Sequence, residues 1–171
     1  MVRTMIEVKI EAIRVNLIGS HRVIILKELD NERYLPIWIG QAEADSITIQ
    51  LTETRVARPL THDLIIAMIQ KIGAKVSHVV INDLQNDTFY ANLVLKSADG
   101  SKDIVIDSRP SDAIAIAVRA KCSIFIEDTI MAEHGQIPEE EQGTASAVAD
   151  EDLGAFKDFL GSLDLDDLEK K

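Results

Sequence analysis

Apolar and polar residues alternate with period two in two separate blocks, residues 5–39 and 75–107, and turn residues break each block into three short runs. This doubled pattern calls for two antiparallel meanders, because alternation gives each strand one core face and one solvent face. In the first block Ile6, Val8 and Ile10 share a face opposite Glu7, Lys9 and Glu11. Further on, Ile13, Val15 and Leu17 carry the apolar side instead. A strand cannot switch faces without an extra residue, so the flip predicts a bulge near Ala12. Gly19-Ser20 reads as a tight turn. The returning strand over 21–29 contains Val23-Ile24-Ile25-Leu26, which is apolar on both faces and suits a central position. Tyr34–Ile39 forms the third strand, and Pro36, which has no N–H to donate, places it at an edge or kinks it. The second block reads as strands over 75–84, 88–96 and 103–107, turning at Asn86-Asp87 and at Asp99-Gly100.

Helical spacing appears between and after the blocks. Ala44, Ile47 and Leu51 predict a helix over 41–54. Thr61 is the expected N-cap of a second helix over 62–73, with Gly73 at its C-terminal end. Ser111 or Asp112 is the expected cap of a third, over 111–121, which is apolar nearly all round and should therefore be buried. A short strand over 123–127 and a short helix over 129–134 follow. The expected fold class is α+β: two antiparallel β-meanders with packed helices forming one compact domain over 1–135. Residues 136–149 lack periodicity and read as a flexible acidic linker. Leu153, Phe156, Leu160 and Leu163 then mark an acidic amphipathic helix over 150–171. A helix so short needs a surface to dock on.

Apolar residues make up 46% of the chain but aromatic ones only 4%, so the core must be aliphatic. No run approaches the ~20 apolar residues of a membrane span. The N-terminus, with charged residues alternating through it, is unlike a secretory signal. Cys122 is the single cysteine, which excludes an intrachain disulfide and suggests a packing thiol. A cytoplasmic location is the expectation. The net charge of −11 is uneven: residues 136–171 hold eleven acids against three lysines, a net of −8, which leaves −3 for the rest. A strongly acidic chain argues against nucleic-acid binding; a nearly neutral core with an acidic tail leaves it open.

Polar chemistry concentrates in two segments of one grammar, Arg58-Pro59-Leu60-Thr61-His62-Asp63 and Arg109-Pro110-Ser111-Asp112, the second preceded by Asp107. Proline sets the angle into each helix, and the free N–H groups of a helix start can hold an anion. One reading is structural, with capped helices and arginines bridging to carboxylates. The other is a phosphate or metal–phosphate site. His62-Asp63 lacks companion histidines at fitting spacing, which argues against zinc. Glu43 sits in the first turn of its own helix. With Asp63, Asp107 and Asp112 it would make an oxygen-only set suited to Mg²⁺ or Mn²⁺. No motif for an organic cofactor, a serine nucleophile or a Cys–His pair occurs. Tyr34 and Trp38 are expected to be packing residues.

Four motifs in order resemble the bifunctional nuclease family: Leu35-Pro36-Ile37-Trp38-Ile39-Gly40 with Glu43; Arg58 through Leu64; Asn86-Asp87-Thr88-Phe89-Tyr90-Ala91; and Asp107 through Ile114. Phe156-Lys157-Asp158-Phe159-Leu160 is similar to the C-terminal extension of bacterial members. The resemblance implies a compact α+β domain, commonly a homodimer, that degrades DNA and RNA. The polar positions inside the shared motifs are Glu43, Arg58, Thr61, His62, Asp63, Asp107, Arg109, Ser111 and Asp112.

Two functions follow. In the first, Asp63, Asp107 and Asp112, with Glu43, hold a divalent ion that activates water. Arg58 and Arg109 grip the phosphate, with Thr61 and Ser111 beside them, and His62 acts as acid or base. In the second, the arginine–carboxylate motifs are structural, and the acidic C-terminal helix binds a partner in a non-catalytic module.

Overall fold

The computed structural model describes residues 4–15 and 22–137. Its element order is β1 (Met5–Val15), β2 (Arg22–Glu28), β3 (Tyr34–Ile39), α1 (Gln41–Leu51), α2 (Thr61–Lys71), β4 (Lys75–Gln85), β5 (Thr88–Lys96), β6 (Asp103–Ser108), α3 (Pro110–Ala120), β7 (Ser123–Glu127) and α4 (Asp128–His134). The two expected meanders are present, but they form one seven-stranded mixed sheet in the order β3-β2-β1-β7-β4-β5-β6. β7 joins them, antiparallel to β1 and parallel to β4.

Local rules account for the strand details. The β1–β2 register slips between Ile10 and Ala12, which is the bulge required by the change of face. β3 is an edge strand, as Pro36 demands, and Gln136 exchanges two backbone hydrogen bonds with Tyr34 on its outer side. Asn86 and Asp87 both have positive φ, 48° and 59°, as a two-residue hairpin turn needs. Trp38 differs from expectation: it is 65% exposed on the edge strand rather than packed inside. The Gly19-Ser20 turn lies outside the described residues, as does nearly all of the segment assigned to the linker and C-terminal helix. The chain divides into two units, Met1–Pro138 and Glu139–Lys171, and all the elements named above belong to the first.

α3 is the central helix. It packs on β4, β5 and β7, with α1 and α2 against its flanks. Ala113, Ile114 and Ala115 have no exposed surface, and with Ile24, Leu26, Ile47, Ile81 and Ile126 they form the fully aliphatic core that the composition requires. α2 ends at Lys71 with Ile72 as its C-cap, and Gly73 follows with a φ of 79°: its N–H donates to the Gln70 carbonyl, and the Ala74 N–H donates to the Ile69 carbonyl. No described helix is long and apolar enough to cross a membrane.

Candidate functional site

α1, α2 and α3 each carry an acid at the third residue of the helix: Glu43, Asp63 and Asp112. The positive end of a helix dipole and its unpaired N–H groups favour an acid there. Because α3 lies between the other two helices, packing brings these local preferences together into one polar network.

The network begins at the exposed Arg109. Its Nε donates to Asp112 Oδ2 at 2.7 Å, and Nη2 donates to Asp112 Oδ1 at 3.1 Å and to Glu43 Oε1 at 2.6 Å, tying α3 to α1. Asp112 Oδ1 also faces His62 Nε2 at 3.2 Å. The other ring nitrogen, Nδ1, lies 2.9 Å from Ser46 Oγ on α1. Ser46 Oγ accepts from Arg119 Nη2 at 3.0 Å, and Arg119 Nε donates to Asp63 Oδ1 at 2.6 Å. Asp63 Oδ2 closes the run by accepting the Leu60 N–H at 2.7 Å.

Each shifted charge has a cause. Burial alone would push the Asp112 carboxyl up, but hydrogen bonds from Arg109 and His62 and the Arg109 charge outweigh it and hold the carboxyl below its ordinary range. Burial opposes ionisation of Asp63 too. The Leu60 N–H and Arg119 overcome it, and Asp63 is likewise held low. The hydrogen bonds it donates to Asp112 and Glu43 raise Arg109 further above its ordinary value.

Glu43 folds back over Gly40, so a Cβ added at Gly40 would collide with the Glu43 carboxylate. The φ of −67° at Gly40 suits any residue, so the conflict falls on the side chain and not on the backbone. Gly40→Ala is therefore expected to leave the melting temperature nearly unchanged while displacing Glu43 from Arg109. A structure of the variant checks this, and an intact Glu43–Arg109 bond would contradict it.

The network edges a groove of about 880 Å³. Leu93, Leu95, Ile106, Ile65, Met68 and Ile116 are among its apolar lining, and Glu43, Asp45, His62, Asp107, Arg109 and Asp112 supply polar groups. Among the expected site residues, Glu43, His62, Arg109 and Asp112 are in mutual contact through this network. Asp107 stands exposed at the groove where β6 ends. Thr61 also lines the groove, but it is the first residue of α2; Leu60 is the N-cap, and the cap bond comes from Asp63. Ser111 is buried and does not line the groove, and neither it nor Asp112 caps α3, whose N-cap is Arg109 with Pro110 following. Arg58 lies exposed in the loop before α2, outside the groove lining. The partner of Asp63 is Arg119 instead of Arg58, so the two Arg-Pro segments do not form equivalent halves of a site.

Ser46 and Arg119 were not anticipated. Arg119 had a signal: it is a cation inside a helix otherwise apolar nearly all round, and a charge in that position must be paired. Ser46 had a weaker one, as a polar residue beside the Ala44–Ile47 stripe.

Mg²⁺ or Mn²⁺ would need grouped, available oxygens. Both oxygens of Asp63 and both of Asp112 are already hydrogen-bonded, the first pair to Leu60 and Arg119, the second to Arg109 and His62. Among the described residues, no three His, Cys, Asp or Glu side chains are grouped to hold an ion. The set does not fit a preformed metal site. What the arrangement can do is hold or pass a proton between His62 and Asp112 beside a guanidinium, at the wall of an open groove.

The fold is thus a mixed-sheet α+β domain whose polar site is built from residues at the starts of three helices, Glu43, His62, Arg109 and Asp112. The bifunctional nuclease domain model matches residues 24–139, and the chain belongs to that family. An uncharacterized protein of Mycobacterium tuberculosis is 40% identical over 163 residues, covering 94% of this chain and 96% of its own. Bifunctional nuclease 1 of Oryza sativa subsp. indica is 30% identical over 119 residues, covering 68% of this chain and 36% of its own. Bifunctional nuclease 2 of Arabidopsis thaliana is 33% identical over 110 residues, covering 63% and 33%. The match thus spans about a third of the plant proteins.

Proposed function

We infer that this chain is a nuclease that hydrolyses phosphodiester bonds of DNA and RNA, with its chemistry at the His62–Asp112–Arg109 corner of the groove. The observation that carries this reading is the 3.2 Å approach of His62 Nε2 to Asp112 Oδ1 on that wall, with Arg109 bonded to the same carboxylate. His62 and Asp112 would exchange a proton with the attacking water or the leaving oxygen. Arg109 is exposed enough to turn one edge to a phosphate, and a guanidinium matches phosphate geometry. Asp107 would orient the attacking water, and Arg58 would meet the phosphate chain outside the groove.

The test is cleavage of labelled DNA and RNA oligonucleotides by the purified full chain, assayed with Mg²⁺, with Mn²⁺ and with chelator. Asp112→Asn is expected to abolish cleavage while circular dichroism stays native. Unchanged cleavage by the variant would reject the assignment.

A second reading keeps a specific observation in its favour. Glu43, Asp45, Asp107 and Asp112 outnumber Arg109 at the groove, and a surplus of acid repels a polyanion. In that reading the network is a clasp between helices, the protein is a non-catalytic binding module, and no cleavage appears under any condition.

The homodimer implied by the family has a suitable surface. β6 is an edge strand whose Ile104 and Val105, outside the groove lining, are 41% and 58% exposed. An apolar edge of this kind is a template for pairing with another chain. Val105→Lys is expected to convert a dimer to a monomer in sedimentation velocity; a dimer that survives would place the contact elsewhere.

A further inference from the structure

We propose that Ser46 and Arg119 are positioning residues that hold the His62 ring in the tautomer with its proton on Nε2. Arg119 can only donate hydrogen bonds, and its Nη2 points at Ser46 Oγ at 3.0 Å and at the Ser46 carbonyl at 3.3 Å. One lone pair of the hydroxyl is thereby occupied, and the hydroxyl hydrogen lies toward His62 Nδ1, 2.9 Å away, since the ring's other nitrogen faces a carboxylate that can only accept. A nitrogen that accepts this hydrogen carries none of its own. The ring proton therefore sits on Nε2, where Asp112 Oδ1 waits at 3.2 Å. An ionised carboxylate can only accept, so both sides of the ring select the same tautomer.

Burial makes the selection effective. Arg119, Ser46 and His62 are almost fully enclosed, with the Arg119 side chain 5% exposed, so water does not replace a lost partner. Arg119 is itself fixed: Nε donates to Asp63 Oδ1 and Nη1 to the Ala115 carbonyl at 2.9 Å. The geometry of α2 and α3 is thus transmitted through one guanidinium and one hydroxyl to the far nitrogen of the histidine. The usefulness of this device for cleavage rests on the nuclease reading; the tautomer itself does not.

The test is long-range ¹H–¹⁵N correlation spectroscopy on the histidine-labelled full chain without nucleic acid, with His62→Asn used to assign the ring. The wild type should show bare Nδ1 and protonated Nε2. Ser46→Ala should replace that single pattern by a mixture of tautomers, and Arg119→Lys should do so to a smaller extent. Protonated Nδ1 in the neutral wild-type ring would overturn the proposal, as would an unchanged pattern in folded Ser46→Ala. If the wild-type and Ser46→Ala spectra behave as expected but the wild-type chain cleaves neither DNA nor RNA under any condition, the tautomer device stands and the nuclease assignment falls.

Discussion

His62→Asn is expected to lower the cleavage rate by at least ~100-fold, the ordinary scale for losing a positioned acid or base. Asparagine is chosen because its amide can still meet the Ser46 hydroxyl that His62 meets at 2.9 Å, so the buried side of the site keeps a partner. What it cannot do is gain and lose a proton toward Asp112. The measurement is single-turnover cleavage of a labelled oligonucleotide beside circular dichroism and thermal melting. A rate within threefold of wild type, in a variant that remains folded, would remove His62 from the chemistry. Equal loss of cleavage and of structure would leave only a structural role.

The largest effect on stability is expected from Arg119→Leu. The Arg119 side chain is 5% exposed and that of its partner Asp63 is 29% exposed. Removing the cation strands the Asp63 carboxylate and withdraws a donor from Ser46. Breaking a buried pair from one side costs about 3 kcal/mol, which for a domain of this size lowers the melting temperature by roughly 10 °C. Asp63→Asn combined with Arg119→Leu should recover part of the loss, because no unpaired charge is then left inside. Urea unfolding of the two single variants and the double variant measures the coupling, and additive losses would show that the pair does not act as a unit.

The same pair sets a pH dependence. The folded-state pKa of Asp63 is held below its unfolded value, so its contribution is complete above the ordinary carboxylate range, about pH 4. That contribution fades as pH falls through the folded value. The gap in melting temperature between wild type and Asp63→Asn should narrow accordingly below about pH 4.

What the sequence determined by itself is the set of features with local causes. Alternation specified the strands, and the change of parity required the β1 bulge seen between Ile10 and Ala12. Pro36 required an edge, Asn86-Asp87 a hairpin turn, and the apolar run from Ala113 a buried helix, because each depends on a backbone or burial preference acting within a few residues. Membership of the nuclease family was also legible, since its motifs are contiguous. Tertiary structure alone decided that β7 enters between the two meanders, that Asp63 meets Arg119 and not Arg58, and that Ser46 stands behind His62. With His62–Asp112 and Arg119–Ser46, those side-chain contacts join residues 16, 50, 56 and 73 positions apart. Periodicity has no hold over such distances; what sets them is how α1 and α2 settle against α3. The Arg-Pro echo at Arg58 and Arg109 was real in the sequence, yet the feature common to all three helices is the acid at the third position. Only their convergence on α3 turned that common preference into a site.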